Sequence, residues 1–289
     1  MLLGLGLSEI LTYTFISPKL YDKIRLPEDH PLRASVTILN PLGEDTSVMR
    51  TTALPSMLQV LSTNYNDRNP EAALYELAVE SPPPAPDQLP EEKPMLTLGA
   101  YGPGWDFYAM KGRVEALLKE LGVTGVEFLP CTHNTSYHPG RCAAIQVGEQ
   151  VIGGMGEVHP EVCENFGIGT KVYLAQLDGD LLFRLHSDEK NYQPLPRFPA
   201  STRDLAVICD EALPVAAIEK AIRAHVGKIL EKVQLFDVYR GAQVPQGKKS
   251  VAYALILRAA DRTLTVEECD KAMAAALEGL REVGAEIRK

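Results

Sequence analysis

Apolar residues recur along the chain in two patterns, one typical of strands and one of helices, and together they predict an α+β protein. Short apolar runs predict strands at 11–16, 36–39, 74–79, 95–101, 126–129, 143–147 and 151–157. The first 15 residues predict a short helix that runs into the first strand. Further helices are predicted at 107–121 and along the apolar face formed by Leu54, Leu58, Leu61 and Tyr65.

A proline-rich segment interrupts this first half of the chain. Six prolines fall between residues 81 and 94, a density at which neither a regular strand nor a helix is expected. The same mixture of strands and helices resumes beyond it. The segment is therefore interpreted as an extended surface loop inserted within one domain.

From Pro194 onward the pattern becomes shorter and more regular. Strands are predicted at 205–209, 230–239, 250–258 and 285–288, with one helix at 214–226 and another after Thr265. Thr265 and Glu268 have the T-x-x-E spacing of a helix capping box. The order β-α-β-β-α-β predicts a ferredoxin-like fold, with both helices on one face of an antiparallel sheet and the other face open. The predicted domains are residues 1–190 and 194–289.

Composition argues against a membrane protein, a secreted protein and a disulfide-rich protein. Of the 289 residues, 45% are hydrophobic and 23% are charged, as in an ordinary globular protein. No apolar run reaches the roughly 18 residues of a membrane span, and the N-terminus lacks the basic start of a signal peptide. The five cysteines are an odd number without a CxxC pair. They argue against a disulfide framework and favour a reducing cytoplasm.

The charge is distributed unevenly along the chain. The net charge is −9, which taken alone argues against a nucleic-acid partner. Residues 1–193, however, carry 14 Lys and Arg against 25 Asp and Glu, whereas residues 194–289 carry 15 against 13. A polyanion therefore meets little net repulsion at the second domain, although a net charge near neutral is also common in domains that bind no polyanion.

No residue cluster in the first domain predicts a catalytic or metal site. Cys131, His133 and His138 have a C-x-H-x4-H spacing that matches no strong zinc template, so loop histidines are favoured. The glycine-rich stretch 153–156 precedes no helix, and close backbone packing or a turn is favoured over a phosphate cradle. A solvated turn is likewise favoured for the Asp-Gly-Asp sequence at 178–180.

The second domain carries its basic residues where an RNA-binding sheet needs them. They fall at strand ends and in loops rather than on helix faces, at Arg197, Arg203, Arg240, Lys248, Lys249, Arg258 and Arg262. Guanidinium and ammonium groups at these places suit phosphates, and aromatic rings on the sheet suit unpaired bases. The set favours single-stranded RNA as a ligand, against the alternative that each cation is simply solvated.

Three aromatic residues lie on the two predicted central strands. Phe236 and Tyr253 are predicted to be core residues. Tyr239 has the phase of Val233, Leu235 and Asp237, and the carboxylate in that row predicts a strand end that is not fully buried.

Motifs in colinear order resemble the β subunit of bacterial phenylalanyl-tRNA synthetase. In the first domain they are NPLGEDTSVMRTTALPSMLQVLSTN at 40–64, ALYELAVE at 73–80, YHPGRCAAI at 137–145 and GGMGEVHPEV at 153–162. In the second they are FPASTRDLAVI at 198–208, FDVYRG at 236–241, GKKSVAYALILR at 247–258 and RTLTVEE at 262–268. The resemblance covers nearly the whole chain and corresponds to the C-terminal part of that subunit. The family's upstream OB-fold, editing and magnesium-associated domains have no counterpart in these residues.

The resemblance implies a class II synthetase-like antiparallel sheet domain followed by a ferredoxin-fold anticodon-binding domain. In that family the α subunit activates phenylalanine, using ATP and magnesium, while this part of the β subunit is catalytically silent. The sequence around 153–156 agrees with a catalytically silent domain, because Glu157 follows this stretch and no arginine stands beside it to hold ATP. The implied partners are the α subunit, in an αβ dimer of dimers, and phenylalanine tRNA in the cytoplasm, with no DNA, no membrane and no cofactor bound by this chain.

Carried over by motif, Tyr239 is expected to stack on an anticodon base, with Arg203 and Arg240 as direct contacts. Lys248, Lys249 and Arg262 are expected to contact the RNA backbone. Two alternatives remain: a stand-alone ligase, and an amino-acid-binding regulatory or sensor protein built on a synthetase-like domain.

Overall fold

The computed structural model describes residues 1–82, 88–190, 192 and 194–288. The chain divides into two compact units, Met1–Lys190 and Asn191–Lys289. Part of the proline-rich segment, residues 83–87, lies outside the described residues. No helix in the described part of the chain is both long and apolar enough to cross a membrane.

A seven-stranded sheet forms the frame of the first unit. Its strands are β1 (Ser8–Glu9), β4 (Ala72–Glu80), β5 (Lys93–Tyr101), β6 (Val126–Pro130), β7 (Tyr137–Val147), β8 (Gln150–Val158) and β9 (Val172–Asp178). They lie in the order β1-β4-β5-β9-β8-β7-β6, with β1 parallel to β4 and each of the other neighbours antiparallel. Two further short strands, β2 (Phe15–Ile16) and β3 (Val48–Met49), pair with each other.

Helices cover both faces of this sheet. They are α1 (Lys19–Lys23), α2 (Leu54–Asn66), α3 (Phe107–Glu120), α4 (Pro160–Asn165) and α5 (Gly179–Leu185), with 3-10 turns at Leu2–Leu5, Pro31–Arg33 and Glu44–Thr46. The predicted face of α2 is confirmed, because Leu54, Leu58 and Leu61 are buried in one core. Helices α3 and α5 pack into a second core on the opposite sheet face.

Several local predictions for this unit are wrong. Residues 36–39 form only an isolated bridge, between Thr37 and Val48, and the strand predicted at 11–16 shortens to β2. Pro94 lies inside β5, although the segment 81–94 was expected to hold no regular strand. The 178–180 sequence is a helix start and not a solvated turn, because the Asp178 carboxylate accepts a 2.9 Å hydrogen bond from Leu181 N–H and caps α5.

The glycines of β8 confirm close backbone packing. A Cβ atom on Gly153 would lie 2.2 Å from the Gln176 carbonyl oxygen, and one on Gly156 would lie 2.6 Å from the Arg141 carbonyl oxygen. Neither separation is possible for real atoms, so the stretch is a strand pressed between its neighbours and holds no helix N-terminus.

The second unit has the predicted ferredoxin-like order. Its elements are β10 (Ser201–Asp210), α6 (Val215–Val226), β11 (Leu230–Tyr239), β12 (Lys248–Leu257), α7 (Val266–Glu282) and β13 (Glu286–Ile287), with a 3-10 turn at Gly227–Ile229. The antiparallel strands lie in the order β11-β12-β10-β13. Both helices pack on one face, against a core that includes Val207, Tyr253 and Leu255. The prediction of Tyr253 as a core residue is confirmed.

Strand β11 departs from regular pairing at Phe236. Leu235 pairs with Tyr253, but Asp237 pairs with Ala252, so Phe236 is an extra residue without its own partner. Its side chain is 56% exposed, and the prediction that it belongs to the core is wrong. The bulge also reverses the alternation of the strand beyond it.

Candidate nucleic-acid interface

The sheet face opposite α6 and α7 is lined at its centre by small side chains. Register places Ala206, Ala252 and Ala254 on this face, because they alternate with the buried residues of the core face. Each of the three is partly exposed. Methyl groups in the middle of a sheet leave a shallow floor on which a planar ring has room to lie.

Tyr239 stands on this open face because of the bulge. It pairs with Ser250, which alternates with the buried residues Val251 and Tyr253. The regular alternation expected from Val233 and Leu235 would have placed Tyr239 on the helix-covered face instead. The predicted phase of Tyr239 with those two residues is therefore wrong, whereas its phase with Asp237 holds.

Arg288 joins Tyr239 on the open face. Its guanidinium carbon lies 5.4 Å from the centroid of the Tyr239 ring, within the range of a cation–π contact. The same guanidinium donates to Gln243 Oε1 at 2.6 Å and reaches Ser250 Oγ at 3.5 Å. Arg288 was absent from the residues predicted to bind RNA. Its signal was its place at the end of the last predicted strand, directly beside the open face.

The Tyr239 ring also rests on Gly241. A Cβ atom at position 241 would lie 2.4 Å from the Tyr239 hydroxyl oxygen and 2.6 Å from Cζ of the ring. Only a residue without a side chain leaves the ring in its present place. The FDVYRG motif thus supplies the bulge residue, the tyrosine and the glycine that supports the ring within six positions.

Two of the predicted basic residues lie near this surface. Lys248 is in register with the open face and lies 3.9 Å from Asp210. Arg240 follows Tyr239, and its Nε lies 2.8 Å from Glu211 Oε1 in an exposed ion pair. Exposed pairs of this kind contribute little stability, so both cations can exchange a carboxylate for a phosphate at small cost.

The other three predicted residues lie elsewhere on the unit. Lys249 is buried, and its Nζ donates to the Glu211 carbonyl oxygen at 2.9 Å. Arg203 pairs with Leu255 and so belongs to the helix-covered face. Arg262 lies beside the start of α7 and pairs with Asp261 and Glu268. The six predicted residues therefore do not form one surface. Register places Tyr239 and Lys248 on the open face, and Arg240 directly follows Tyr239 in the chain.

The first unit contains a buried polar network of its own. Arg50 and Glu76 are 2% and 1% exposed and lie 3.3 Å apart, and both contact the Thr12 hydroxyl group. Nearby, Glu80 accepts a 2.6 Å hydrogen bond from Ala53 N–H, at the start of α2. Burial raises the pKa of Glu80 to about 7, although Ala53 N–H and Arg50 act in the opposite direction.

None of these groups composes a metal centre. Among residues 1–82, 88–190, 192 and 194–288, no three His, Cys, Asp or Glu side chains are placed to hold an ion together. Cys131 and His133 do contact each other, with 3.7 Å between Sγ and either ring nitrogen. His138 instead accepts a hydrogen bond from Gly140 N–H.

Family models match both units. Residues 1–179 match the phenylalanyl tRNA synthetase beta chain CLM domain, and residues 196–288 match the ferredoxin-fold anticodon binding domain. The chain is 45% identical over its whole length to a phenylalanine–tRNA ligase β subunit of Clostridium acetobutylicum, and 42% identical over 98% of its length to that of Symbiobacterium thermophilum. It spans 36% and 33% of those two proteins, about a third of their length.

A solved structure resembles the fold of about two thirds of the chain. A pyrrolysyl-tRNA synthetase from Desulfitobacterium hafniense superposes with a TM-score of 0.51 over 63% of this chain and 64% of its own. Its 17% identity supports the synthetase-like fold alone. The α+β architecture expected from the sequence, a class II synthetase-like sheet followed by a ferredoxin-like unit, is confirmed.

Proposed function

Because the chain belongs to the phenylalanyl-tRNA synthetase β-chain family, we propose that it is the β-subunit portion of a phenylalanine–tRNA ligase. In this role it supports a catalytic α subunit and binds the anticodon region of phenylalanine tRNA in the cytoplasm. The whole enzyme attaches phenylalanine to its tRNA with ATP and magnesium, and the present residues carry no step of that chemistry.

The observation that carries the RNA-binding role is the open face of the ferredoxin-like unit. It combines the Tyr239 ring, the guanidinium of Arg288 and an alanine floor. A base that stacks on Tyr239 gains dispersion and π contact, while Arg288 and the exposed cations Arg240 and Lys248 face its phosphates. Arg203 and Arg262 stay candidates for contacts with RNA that wraps beyond this face, and Lys249 joins them only if its ammonium group leaves the Glu211 carbonyl oxygen.

The partner role rests on an apolar edge of the first unit. Thr12 turns inward to Glu76, which leaves Leu11 and Tyr13 outside at 92% and 82% exposure. In β4, Leu77 and Val79 alternate with buried residues and are exposed as well. Large apolar side chains collected along one edge favour a protein partner, and the α subunit is the partner that the family implies.

The test is binding of a phenylalanine-tRNA anticodon stem-loop to the full chain, measured by fluorescence anisotropy. Loss of a stacking platform costs about 1–3 kcal/mol, so Tyr239→Ala is expected to weaken binding by about 5- to 150-fold. Tyr239→Phe keeps the ring and serves as the control. If Tyr239→Ala and Arg203→Ala both stay within about twofold of the natural chain, the assignment fails.

The sensor alternative predicts a different ligand. Free phenylalanine would then bind the chain and RNA would not. The relatives named as ligase subunits favour the first function over this one. Binding of the stem-loop that weakens steeply as salt rises, with no response to phenylalanine, is the expected result.

A further inference from the structure

Two cysteines face each other across the edge of the seven-stranded sheet. The register of β6 and β7 ends at Pro130 opposite Ala143, and the next pair along is Cys131 and Cys142. Cys131 N–H donates to the Cys142 carbonyl oxygen at 3.0 Å, which fixes the two residues directly opposite one another. Both side chains are buried in the same core cluster.

The backbone spacing of this pair suits a covalent bond between the two side chains. Directly opposed residues of an antiparallel pair have Cα atoms about 4.5–5.5 Å apart, and disulfides span Cα separations of about 4.4–6.8 Å. A covalent bond between the two sulfur atoms therefore requires only small backbone movement.

The surroundings give the two sulfurs different roles. Burial and the neighbouring Cys131 raise the pKa of Cys142 to about 12, which disfavours its thiolate form. The Cys131 sulfur lies 3.7 Å from either ring nitrogen of the exposed His133, so a ring nitrogen can accept a hydrogen bond from this thiol. Cys131 is thus the sulfur that an oxidant from solvent meets first.

The pair lies next to exposed residues. Cys131 contacts the exposed residue His133, and Cys142 follows the exposed residue Arg141. The approach for a small oxidant such as a peroxide is therefore on the His133 side of Cys131. Cys163 belongs to the same core cluster but lies on α4, so it has no place in the pairing of β6 with β7.

We propose that Cys131 and Cys142 are a redox modification site, which a peroxide oxidises to a reversible cross-strand disulfide. The Cys131 thiolate attacks one peroxide oxygen, the O–O bond breaks, and one water leaves with a proton to give a sulfenic acid. The Cys142 sulfur then attacks the Cys131 sulfur, and the S–O bond breaks. The second water carries away the Cys142 proton. Two thiols lose two electrons in total, and one peroxide becomes two waters.

The experiment treats the full chain with a small excess of hydrogen peroxide, alkylates the remaining thiols under denaturing conditions, and maps the peptides by mass spectrometry. The expected product has lost two hydrogen atoms, has three alkylated cysteines in place of five, and contains a peptide pair joined at Cys131 and Cys142. Dithiothreitol should restore all five thiols. The cross-link should be absent from Cys131→Ser and from Cys142→Ser and should persist in Cys163→Ser.

Three results would overturn the site. One is the alkylation of all five cysteines after peroxide treatment. The second is a cross-link that uses Cys163 or a cysteine of the second unit. The third is oxidation of Cys131 to an irreversible acid without any bond to Cys142. Circular dichroism of each variant before treatment ensures that the compared chains are folded.

Discussion

At the scale of single residues, the position of the Tyr239 ring depends on a neighbour that has no side chain. Gly241 lies under the ring, and a Cβ there would collide with the hydroxyl end and with Cζ. The colliding atoms belong to the far end of a side chain, so the ring can swing away without disturbing the backbone. A substitution at Gly241 therefore moves the tyrosine without removing it.

Gly241→Ala is expected to weaken binding of the anticodon stem-loop about as much as Tyr239→Ala, because a displaced ring no longer lies beside Arg288. Anisotropy titrations of both variants measure the effect. Gly247→Ala is not a suitable control, since Gly247 has a positive φ of 79°. Gly112→Ala is suitable, because its Cβ would meet no atom within 4 Å. Full affinity in Gly241→Ala would show that the ring position is irrelevant.

Glu80 carries the second residue-scale prediction. Its pKa rises from 4.5 to about 7 through burial, so the folded chain holds a proton that the unfolded chain releases between those two pH values. Stability from this group is therefore lost as pH rises from 4.5 to 7. The full difference corresponds to about 3 kcal/mol.

Glu80→Gln removes this penalty and keeps an oxygen acceptor for Ala53 N–H. It is expected to raise the free energy of unfolding at pH 8 by about 1–3 kcal/mol, with a gain that shrinks as pH falls toward 4.5. Urea unfolding over that pH range measures it. Glu149→Gln, at an exposed turn, should show no such trend. A constant difference between Glu80→Gln and the natural chain at all pH values would contradict the shift.

At the scale of elements, features that depend on neighbouring residues were predicted more reliably than features that depend on pairing between distant strands. The Thr265 and Glu268 capping box forms as predicted: Glu268 N–H donates to Thr265 Oγ1 at 3.3 Å, and Thr265 N–H donates to Glu268 Oε2 at 2.9 Å. Strand β9 was missed, because residues 172–175 are apolar without the alternation of a half-buried strand, as both faces of β9 are covered. The bulge at Phe236 left no local signal, since it depends on the pairing of β11 with β12.

The capping box gives an element-scale prediction. Thr265→Ala removes the acceptor for Glu268 N–H and is expected to lower the free energy of unfolding by about 1 kcal/mol. Urea unfolding followed by circular dichroism measures the change. Thr265→Ser keeps the hydroxyl group and should stay close to the natural chain. Equal stability of the alanine and serine variants would mean that the cap contributes nothing.

At the scale of the whole molecule, two surface properties distinguish the proposed binding sites: net charge and exposed apolar side chains. The acidic excess falls within residues 1–193, and the slight basic excess falls within 194–289. Composition therefore indicated which part suits RNA, whereas the apolar edge around Leu77 became visible only when β4 was paired. Alternation in β4 predicts which residues share a face, but not that a partner strand or helix fails to cover it.

Leu77→Asp tests that edge in the assembled protein. A charge buried in an interface core is expected to cost about 2 kcal/mol or more, so the chain should lose most of its co-purification with a phenylalanyl-tRNA synthetase α subunit. The control is Val151→Asp, which changes a 56% exposed residue at the start of β8. Equal recovery of the α subunit with both variants would place the interface elsewhere.

The bulge at Phe236 makes β11 unusually sensitive to chain length. Removing one residue at that point would leave the composition almost unchanged and the strand almost as long. It would nevertheless turn Tyr239 inward among the core residues and push Val238 outward, because each shift of one position exchanges the two faces of a strand. Loss of a single codon here would thus exchange the two faces of the strand end and not merely shorten it. In family alignments, a gap at this position should accompany a different aromatic platform.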